Sequence, residues 1–266
     1  MPERYYFISD VHLGIRPDPA NAVYKPGAKR DNEDIAREQR LLKVLNHIEL
    51  EAEAGMAKGL FIVGDLFDSW FEYKSVIPRR HIRTLAKLAD IAAIIPVEYL
   101  MGNHDFGHQD YFESELGIKV HSGDIERTLL GKKFLIAHGD GKALNDTGYL
   151  ILRKILRNEA LLTIYSWLHP DIGIRLAESV SKGSRGYTDQ RDALQKQDGL
   201  RIFAEKAIRE QHFDYVIMGH RHLPQLTDIT SDDRTLLGRY VNLGDWIKSY
   251  TYGVFDEEGF RIVEAG

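Results

Sequence analysis

Five short blocks of polar residues occur along this chain in a fixed order, and most of them directly follow a hydrophobic run that is typical of a buried β-strand. The blocks are Asp10-Val11-His12, Gly64-Asp65-Leu66-Phe67-Asp68, Gly102-Asn103-His104-Asp105, His138-Gly139-Asp140 and Gly219-His220-Arg221-His222. Loops at the ends of strands are where α/β folds place their chemistry. The pattern therefore predicts an α/β fold whose loops bring these side chains to one site.

Hydrophobic runs and helical patterns alternate through most of the chain. Strands are predicted at 5–8, 60–63, 97–101, 134–137 and 215–218, and helices at 33–54, from Pro78 onward and at 189–211, with a loop at 14–32. Three further strands are predicted at 239–242, 252–255 and 260–263. The alternation predicts a covered α/β sheet, and the terminal strands favour two packed sheets flanked by helices.

The segment 141–188 does not follow this alternation. It contains helical patterns and no evident strand, and it holds seven basic and four acidic residues in a chain whose net charge is −5. Its apolar side chains are concentrated between Tyr149 and Leu176. We interpret the segment as a basic, apolar helical cap on an acidic protein. The simpler interpretation is a helical subdomain whose apolar residues bury one another.

Composition argues against several classes of protein. The chain has 266 residues, enough for one sizeable domain, and no Cys, which excludes a disulfide framework, a thiolate metal site and a cysteine nucleophile. The net charge of −5 argues against a nucleic-acid partner. We expect no signal peptide, and no apolar run reaches the roughly 20 residues that span a bilayer. The sequence thus favours a cytoplasmic protein, and peripheral contact with a membrane stays open.

The residue types in the five blocks suit a site for two metal ions. Asp10 and His12, like His220 and His222, are two residues apart, and this spacing puts both side chains on one side of an extended segment. Asp65 has two carboxylate oxygens and can bridge two cations. Oxygen and nitrogen ligands without thiolates suit Mn²⁺, and Mg²⁺, Fe²⁺ and Zn²⁺ are also compatible. Two such ions form a centre that hydrolyses phosphate esters and anhydrides.

Taken together, the five blocks resemble the pattern of the calcineurin-like metallophosphoesterase superfamily over nearly the whole chain. The resemblance implies a four-layer αββα sandwich, with a single domain over residues 1–266 and the helical cap inserted at 141–188. It implies two sets of metal ligands, which are Asp10, His12, Asp65 and His222 for one ion and Asp65, Asn103, His138 and His220 for the other. It further implies that Asp68 and Asp105 orient these ligands, and that His104 assists while a metal-activated hydroxide attacks phosphorus.

The cap and the second block are similar to the UDP-2,3-diacylglucosamine diphosphatase family of lipid A biosynthesis. The similarity rests on Gly64-Asp65-Leu66-Phe67-Asp68-Ser69-Trp70, on His138-Gly139-Asp140 and on the stretch that ends at Ser181-Lys182-Gly183-Ser184-Arg185. It implies a nucleotide-linked glycolipid substrate, cleaved to UMP and 2,3-diacylglucosamine 1-phosphate (lipid X), and contact with the cytoplasmic face of the inner membrane. The substrate-binding residues that it implies are Asp146, Tyr149, Arg153, Lys182 and Arg185.

Two departures from that family keep other functions open. His104 stands where the best-known members have Arg, and Arg221 and Leu223 stand where Thr and Arg are expected. Because an alkoxide leaving group needs more acid assistance than a phosphate does, His104 leaves a phosphodiesterase of cyclic nucleotides or other small diesters as the alternative. The net charge disfavours a nuclease. The presence of all seven candidate ligands disfavours a non-enzymatic scaffold.

Overall fold

The computed structural model describes residues 2–15, 31–142, 154, 158–174, 176 and 198–266. Within these ranges the strands are β1 (Arg4–Ile8), β2 (Ala57–Val63), β3 (Val97–Leu100), β4 (Lys119–His121), β5 (Ile125–Leu129), β6 (Lys132–Ile136), β7 (Tyr215–Met218), β8 (Gln225–Thr230), β9 (Leu236–Asn242), β10 (Thr251–Asp256) and β11 (Gly259–Glu264). The helices are α1 (Asn32–Glu53), α2 (Ile82–Ala92), α3 (Tyr111–Ser114), α4 (Glu159–Tyr165) and α5 (Gly199–Gln211). None of these described helices has the length and apolar character that crossing a membrane requires.

The strands form two sheets. The six-stranded sheet has the order β11-β10-β1-β2-β3-β4, and β1, β2, β3 and β4 run parallel. The five-stranded sheet has the order β5-β6-β7-β9-β8, and β6, β7 and β9 run parallel. Parallel strands end at the same edge of a sheet, so the loops that follow β1, β2 and β3 are neighbours, as are those that follow β6, β7 and β9.

Both faces of each sheet are buried, which explains the nearly continuous apolar runs in the sequence. On β2, Ile62 packs in the core beneath α1 and α2, whereas Phe61 packs between the two sheets. On β7, Ile217 packs between the sheets, whereas Val216 packs in the core beneath α5. The layers are therefore two helices, a sheet, a second sheet and a helix. This arrangement confirms the predicted four-layer αββα sandwich.

The starts of two helices show how tertiary contacts modify sequence signals. Helix α1 begins as predicted, after the N-cap Asp31, whose side chain accepts the backbone N–H of Glu33 at 2.8 Å. The prediction that Pro78 starts the next helix is wrong, because α2 begins at Ile82. The preceding His81 is buried with a left-handed φ of 62°, and its Nδ1 lies 3.6 Å from Oε1 of Glu38 on α1. The left-handed residue His81 therefore separates Pro78 from the start of α2.

Several predicted segments are described only in part. The helix predicted at 189–211 is described from Gly199 onward, and the strands β4, β5 and β8 were not predicted. Of the predicted cap at 141–188, residues 141–142, 154, 158–174 and 176 are described, and α4 agrees with the helical pattern there. The division of the chain into one domain and a cap stays a prediction.

The described part of the cap packs on the sandwich through aromatic rings. The ring of Tyr165 lies 4.4 Å from that of Phe71, which follows the second block. Gly173 is buried against Tyr73, and a Cβ on Gly173 would lie only 2.0 Å from the Tyr73 hydroxyl oxygen. This close approach joins the helical segment at 158–174 to the loop that follows β2.

Candidate metal centre

The five blocks occupy loops at the carboxyl ends of β1, β2, β3, β6 and β7. These loops are held to one another by backbone hydrogen bonds. The N–H of Asp10 donates to the carbonyl oxygen of Gly64 at 3.1 Å, and the N–H of His12 donates to that of Asp65 at 3.0 Å. On the other side, the N–H of His220 donates to Oδ2 of Asp10 at 2.9 Å. The fold therefore brings blocks that are distant in sequence into direct contact.

One group of candidate ligands gathers around Asp10. The Nε2 atoms of His12 and His222 lie 3.1 Å apart, and Nε2 of His222 lies 3.3 Å from Oδ1 of Asp10. The ligand atoms of these three residues all lie within 4.8 Å of one another. Oδ2 of Asp65 lies 3.8 Å from Nε2 of His12 and joins this group. The structure thus brings together the four residues predicted to hold one ion.

A second group gathers on the other side of Asp65. Oδ2 of Asp65 lies 3.3 Å from Nε2 of His138, which lies 3.0 Å from Oδ1 of Asn103. The same Asn103 oxygen lies 3.0 Å from Nδ1 of His220. These are the four residues predicted to hold the other ion. Asp65 contacts both groups, as a bridging ligand must.

Charge and burial make this cluster suited to cations. Burial alone would raise the pKa of Asp65, but the neighbouring His138 and His104 hold that pKa well below its usual range. The contact with His222 likewise outweighs burial and lowers the pKa of Asp10. Burial and the nearby His138 lower the pKa of His220 to about 4, so this imidazole is neutral at neutral pH and has a lone pair to offer.

The donor set fits two divalent cations. Two buried, ionised carboxylates together with imidazole nitrogens and an amide oxygen are a combination that needs compensating positive charge in the protein interior. These oxygen and nitrogen donors suit Mn²⁺ and related divalent ions. The described residues therefore fit divalent metal ions, and the donor types alone do not choose among them.

Groups outside the cluster contact two of the imidazoles, that of His138 by a hydrogen bond and that of His12 by a longer approach. Nδ1 of His138 donates to the carbonyl oxygen of Val63 at 2.9 Å, which leaves its Nε2 directed at the cluster. Oδ1 of Asp68 lies 3.6 Å from Nδ1 of His12. Such partners fix the tautomer and the ring orientation of metal-binding histidines. The placement of Asp68 supports the orienting role that the sequence predicts for it.

Asp105 braces the loop that carries Asn103. Its Oδ1 accepts the N–H of Gly102 at 2.8 Å, and its Oδ2 accepts the hydroxyl of Tyr99. Asp105 is fully buried. Asp105 therefore holds the loop that carries the candidate ligand Asn103 through the backbone of Gly102, and its predicted orienting role stays a prediction.

His104 lies at the edge of the cluster. Its backbone N–H donates to Oδ1 of Asp65 at 2.9 Å, and its Nδ1 lies 3.3 Å from the carbonyl oxygen of Asp68. Its ring centre is 4.9 Å from that of His12. A ligand atom of His104 also lies within 4.8 Å of those of His12 and Asp65. This position allows His104 to reach a phosphate group held at the centre.

The backbone of the ligand loops is unusual. Five of the seven candidate ligands have a left-handed φ, which is uncommon for residues other than glycine. They are Asp10, His12, Asp65, His220 and His222. Two glycines also allow close approach, because a Cβ on Gly102 would lie 2.0 Å from Oδ1 of Asp65 and one on Gly219 would lie 2.2 Å from Oδ2 of Asp10. The glycines of these blocks thus leave room for the ligands.

The sequence analysis missed Asp245. Its Oδ2 lies 3.8 Å from Nδ1 of His222, and its Oδ1 accepts the N–H groups of the following turn, at residues 247–249. A signal for it was present, since Gly244-Asp245 follows β9 as Gly64-Asp65 follows β2. The residues predicted to bind substrate lie outside the described residues, and these are Asp146, Tyr149, Arg153, Lys182 and Arg185.

Comparisons with known proteins find a matching family model and relatives that align over nearly the whole chain. The family model described as calcineurin-like phosphoesterase matches residues 3–224. A UDP-2,3-diacylglucosamine hydrolase from Porphyromonas gingivalis is 32% identical over 96% of this chain and 95% of its own length. Proteins of the same name from Tolumonas auensis (28% identity, 97% of this chain and 95% of the relative) and Nitrosococcus oceani (27% identity, 98% and 94%) are also similar.

Proposed function

Because this chain belongs to the calcineurin-like phosphoesterase family, a family of metal-dependent hydrolases, we propose that it cleaves the pyrophosphate of UDP-2,3-diacylglucosamine. The products would be UMP and 2,3-diacylglucosamine 1-phosphate. The substrate is proposed from the relatives, which are named UDP-2,3-diacylglucosamine hydrolases and align over nearly the full length of both chains. The chain is a hydrolase, and its substrate is the part that needs a test.

The observation that carries the proposal is the position of Asp65 between two groups of ligand atoms. Asp10, His12 and His222 would hold one divalent ion with Asp65, and Asn103, His138 and His220 would hold the other with the same carboxylate. We propose Mn²⁺ for both positions. Two such ions supply Lewis acidity and lower the pKa of bound water.

The side chains of this chain would act on the substrate as follows. His104 would stabilise negative charge on a phosphate oxygen. Its Nδ1 lies 3.3 Å from the carbonyl oxygen of Asp68, which holds the ring beside the loop of the second block. Asp68 and Asp105 would keep the ligand loops in place and would not contact substrate. A phosphate monoester is a good leaving group, so His104 has little proton transfer to perform on an anhydride.

The described part of the cap supports a lipid-like substrate. Among the described residues between 158 and 176, Trp167 is 80% exposed and Ile164 is 66% exposed. The other exposed apolar residues of this segment are Leu161, Leu168, Ile172 and Leu176. A closed helical subdomain would bury such residues. Their exposure favours a cap that meets acyl chains or a lipid surface.

We further propose that this apolar segment contacts the cytoplasmic face of the inner membrane. Trp is favoured at membrane–water interfaces because its ring is apolar and its N–H is polar. Trp167→Ser should therefore lower the fraction of protein that sediments with anionic phospholipid vesicles. Leu50→Ser is a matched control, because Leu50 is 64% exposed on α1, away from the cap. Equal losses for both variants, or none for Trp167→Ser, would reject the contact.

Product analysis tests the substrate directly. The Mn²⁺-loaded protein should convert UDP-2,3-diacylglucosamine to UMP and 2,3-diacylglucosamine 1-phosphate, both visible by phosphorus NMR. Asp65→Asn should abolish this conversion. Asp232→Asn, an exposed residue in the turn between β8 and β9, should not affect it. An unchanged substrate after incubation with the active metal-loaded protein would reject the assignment.

The alternative is a phosphodiesterase acting on cyclic nucleotides or other small diesters. The observation that favours it is the presence of a buried His104 beside Asp65 and Asp68, where it could protonate an alkoxide. Cyclic AMP hydrolysis at a higher kcat/KM than that of UDP-2,3-diacylglucosamine would select this alternative. The reverse order would select the pyrophosphate substrate.

A further inference from the structure

Arg221 lies between two candidate metal ligands, His220 and His222, and pairs with a residue on another element. Its Nη1 lies 2.6 Å from Oδ1 of Asp198. Asp198 is the N-cap of α5, and the same Oδ1 accepts the N–H of Arg201 at 3.2 Å. Both side chains are largely buried, with 26% of Arg221 and 18% of Asp198 exposed. The contact therefore joins the loop after β7 to the first turn of α5.

The guanidinium is directed away from the proposed metals. His220 contacts Asn103, and His222 contacts Asp10, so both imidazoles reach the ligand cluster. The residue between them reaches in the other direction, towards α5. Asp198 caps α5, and residues of α5 share a core cluster with Tyr240 of β9, so the pair lies on the helix-covered side of the second sheet.

The loop is also held from β9. Nδ2 of Asn242 donates to the carbonyl oxygen of Gly219 at 2.6 Å, one residue before His220. His220 lies between these two attachments and His222 directly follows the second, and their φ angles are 70° and 57°. Left-handed residues other than glycine persist only where the surroundings fix them. Asn242 fixes the start of this loop, and Arg221 fixes its middle.

We infer that the Asp198–Arg221 ion pair is a contact that positions His220 and His222 for metal binding. Arg221 is then a positioning residue that acts through its neighbours and does not touch substrate. The inference rests on the proposed ligand set. The departure from the family pattern at Arg221 is then structural, because its guanidinium is already paired with Asp198.

Variants of both partners isolate the ion pair. Arg221→Met keeps the apolar stem and removes the charge. Asp198→Asn removes the other charge but keeps an oxygen that can cap α5. Arg221→Lys keeps a cation that can pair with Asp198. Arg209→Met is the matched control, since Arg209 pairs with Glu205 at 2.9 Å on the exposed face of the same helix.

The measurement is Mn²⁺ affinity, from the electron paramagnetic resonance signal of free Mn²⁺ in titrations of the folded, full-length protein. Arg221→Met and Asp198→Asn should each weaken the affinity about tenfold, as removal of ligand-orienting groups does. The double variant should be no weaker than either single variant, because the two changes remove one interaction. Arg221→Lys should stay within about threefold of the unmodified protein. With saturating Mn²⁺, Arg221→Met should recover kcat with an unchanged KM.

The outcomes separate the inference from the proposed function. Unchanged Mn²⁺ affinity in both single variants, or additive losses in the double variant, would overturn the positioning role while leaving the metal centre in place. A raised KM at saturating Mn²⁺ would show that Arg221 contacts substrate and would also overturn it. Failure of the unmodified protein to bind two Mn²⁺ ions would reject the metal centre itself. Should Arg221→Met not fold, Asp198→Asn tests the same pair from the other side.

Discussion

Gly102→Ala is the sharpest single test of the proposed centre, because the change adds one methyl group beside the bridging carboxylate. The added Cβ would lie 2.0 Å from Oδ1, 2.7 Å from Cγ and 2.6 Å from the backbone N of Asp65. A real Cβ is not found closer than 3.0 Å to such atoms, so the carboxylate must retreat by about 1 Å. Oδ1 would then also move from the N–H of His104, which it accepts at 2.9 Å.

A shift of this size should disable the site without unfolding the protein. Displacements of about 1 Å in catalytic groups cost on the order of 100-fold in rate, and overpacking a core costs roughly 1–3 kcal/mol of stability. We therefore expect Gly102→Ala to remain folded by circular dichroism and to lose at least about 100-fold in the hydrolysis of bis-p-nitrophenyl phosphate. Metal analysis after gel filtration should give fewer than two Mn²⁺ ions per chain.

The control for this prediction is Gly123→Ala. A Cβ at Gly123 would meet no atom within 4 Å, and neither Gly123 nor Gly102 has a left-handed φ. Both substitutions therefore reduce the flexibility of the unfolded chain in the same way, and they differ in the contact with Asp65. If Gly102→Ala retains two Mn²⁺ ions and turnover within about threefold of Gly123→Ala, Asp65 does not bridge the metals as argued.

Three further substitutions test other parts of the molecule. His104→Ala should lower turnover with metal content unchanged by elemental analysis, and a loss of metal would instead make His104 a ligand. Gly173→Ala should lower the melting temperature because of its clash with the Tyr73 hydroxyl, and Tyr73→Phe in the same chain should restore part of the loss. Arg127→Met should lower the urea-unfolding free energy by about 1 kcal/mol at neutral pH. Arg127 pairs with the ionised Glu98, whose pKa is lowered because hydrogen bonds from Arg127 and His121 outweigh burial. The difference in unfolding free energy between the variant and the unmodified protein should therefore vanish as pH falls through that pKa.

The candidate ligand blocks could be predicted because most of them combine a local residue pattern with a position at the end of a predicted strand. The hydrophobic run before Asp65 and the Gly-Asp pair that ends it are both visible in the sequence, and α/β topology gives such strand ends a common edge. The strand β8 carries no such signal. It is an edge strand of the second sheet that buries Ile229 alone among its six residues, so its composition resembles that of a loop.

Contacts between distant elements could not be predicted. Pro78 is a local signal for a helix start, yet α2 begins only after the left-handed residue His81, which is buried beside Glu38 of α1. The Asp198–Arg221 pair likewise joins residues that no periodicity connects. Such contacts depend on how layers pack, which is fixed only after the sheets have formed.

The strained ligand loops explain why the site should respond as a unit. Each left-handed residue other than glycine costs on the order of 1 kcal/mol, and five ligands share this conformation. The cost is met by hydrogen bonds that run between the loops, from Asp10 to Gly64, from His12 to Asp65 and from His220 to Asp10. Since each loop braces the next, removing one brace relaxes several ligands together. A variant changed in two of these loops should therefore lose less Mn²⁺ affinity than the sum of the losses in the two single variants.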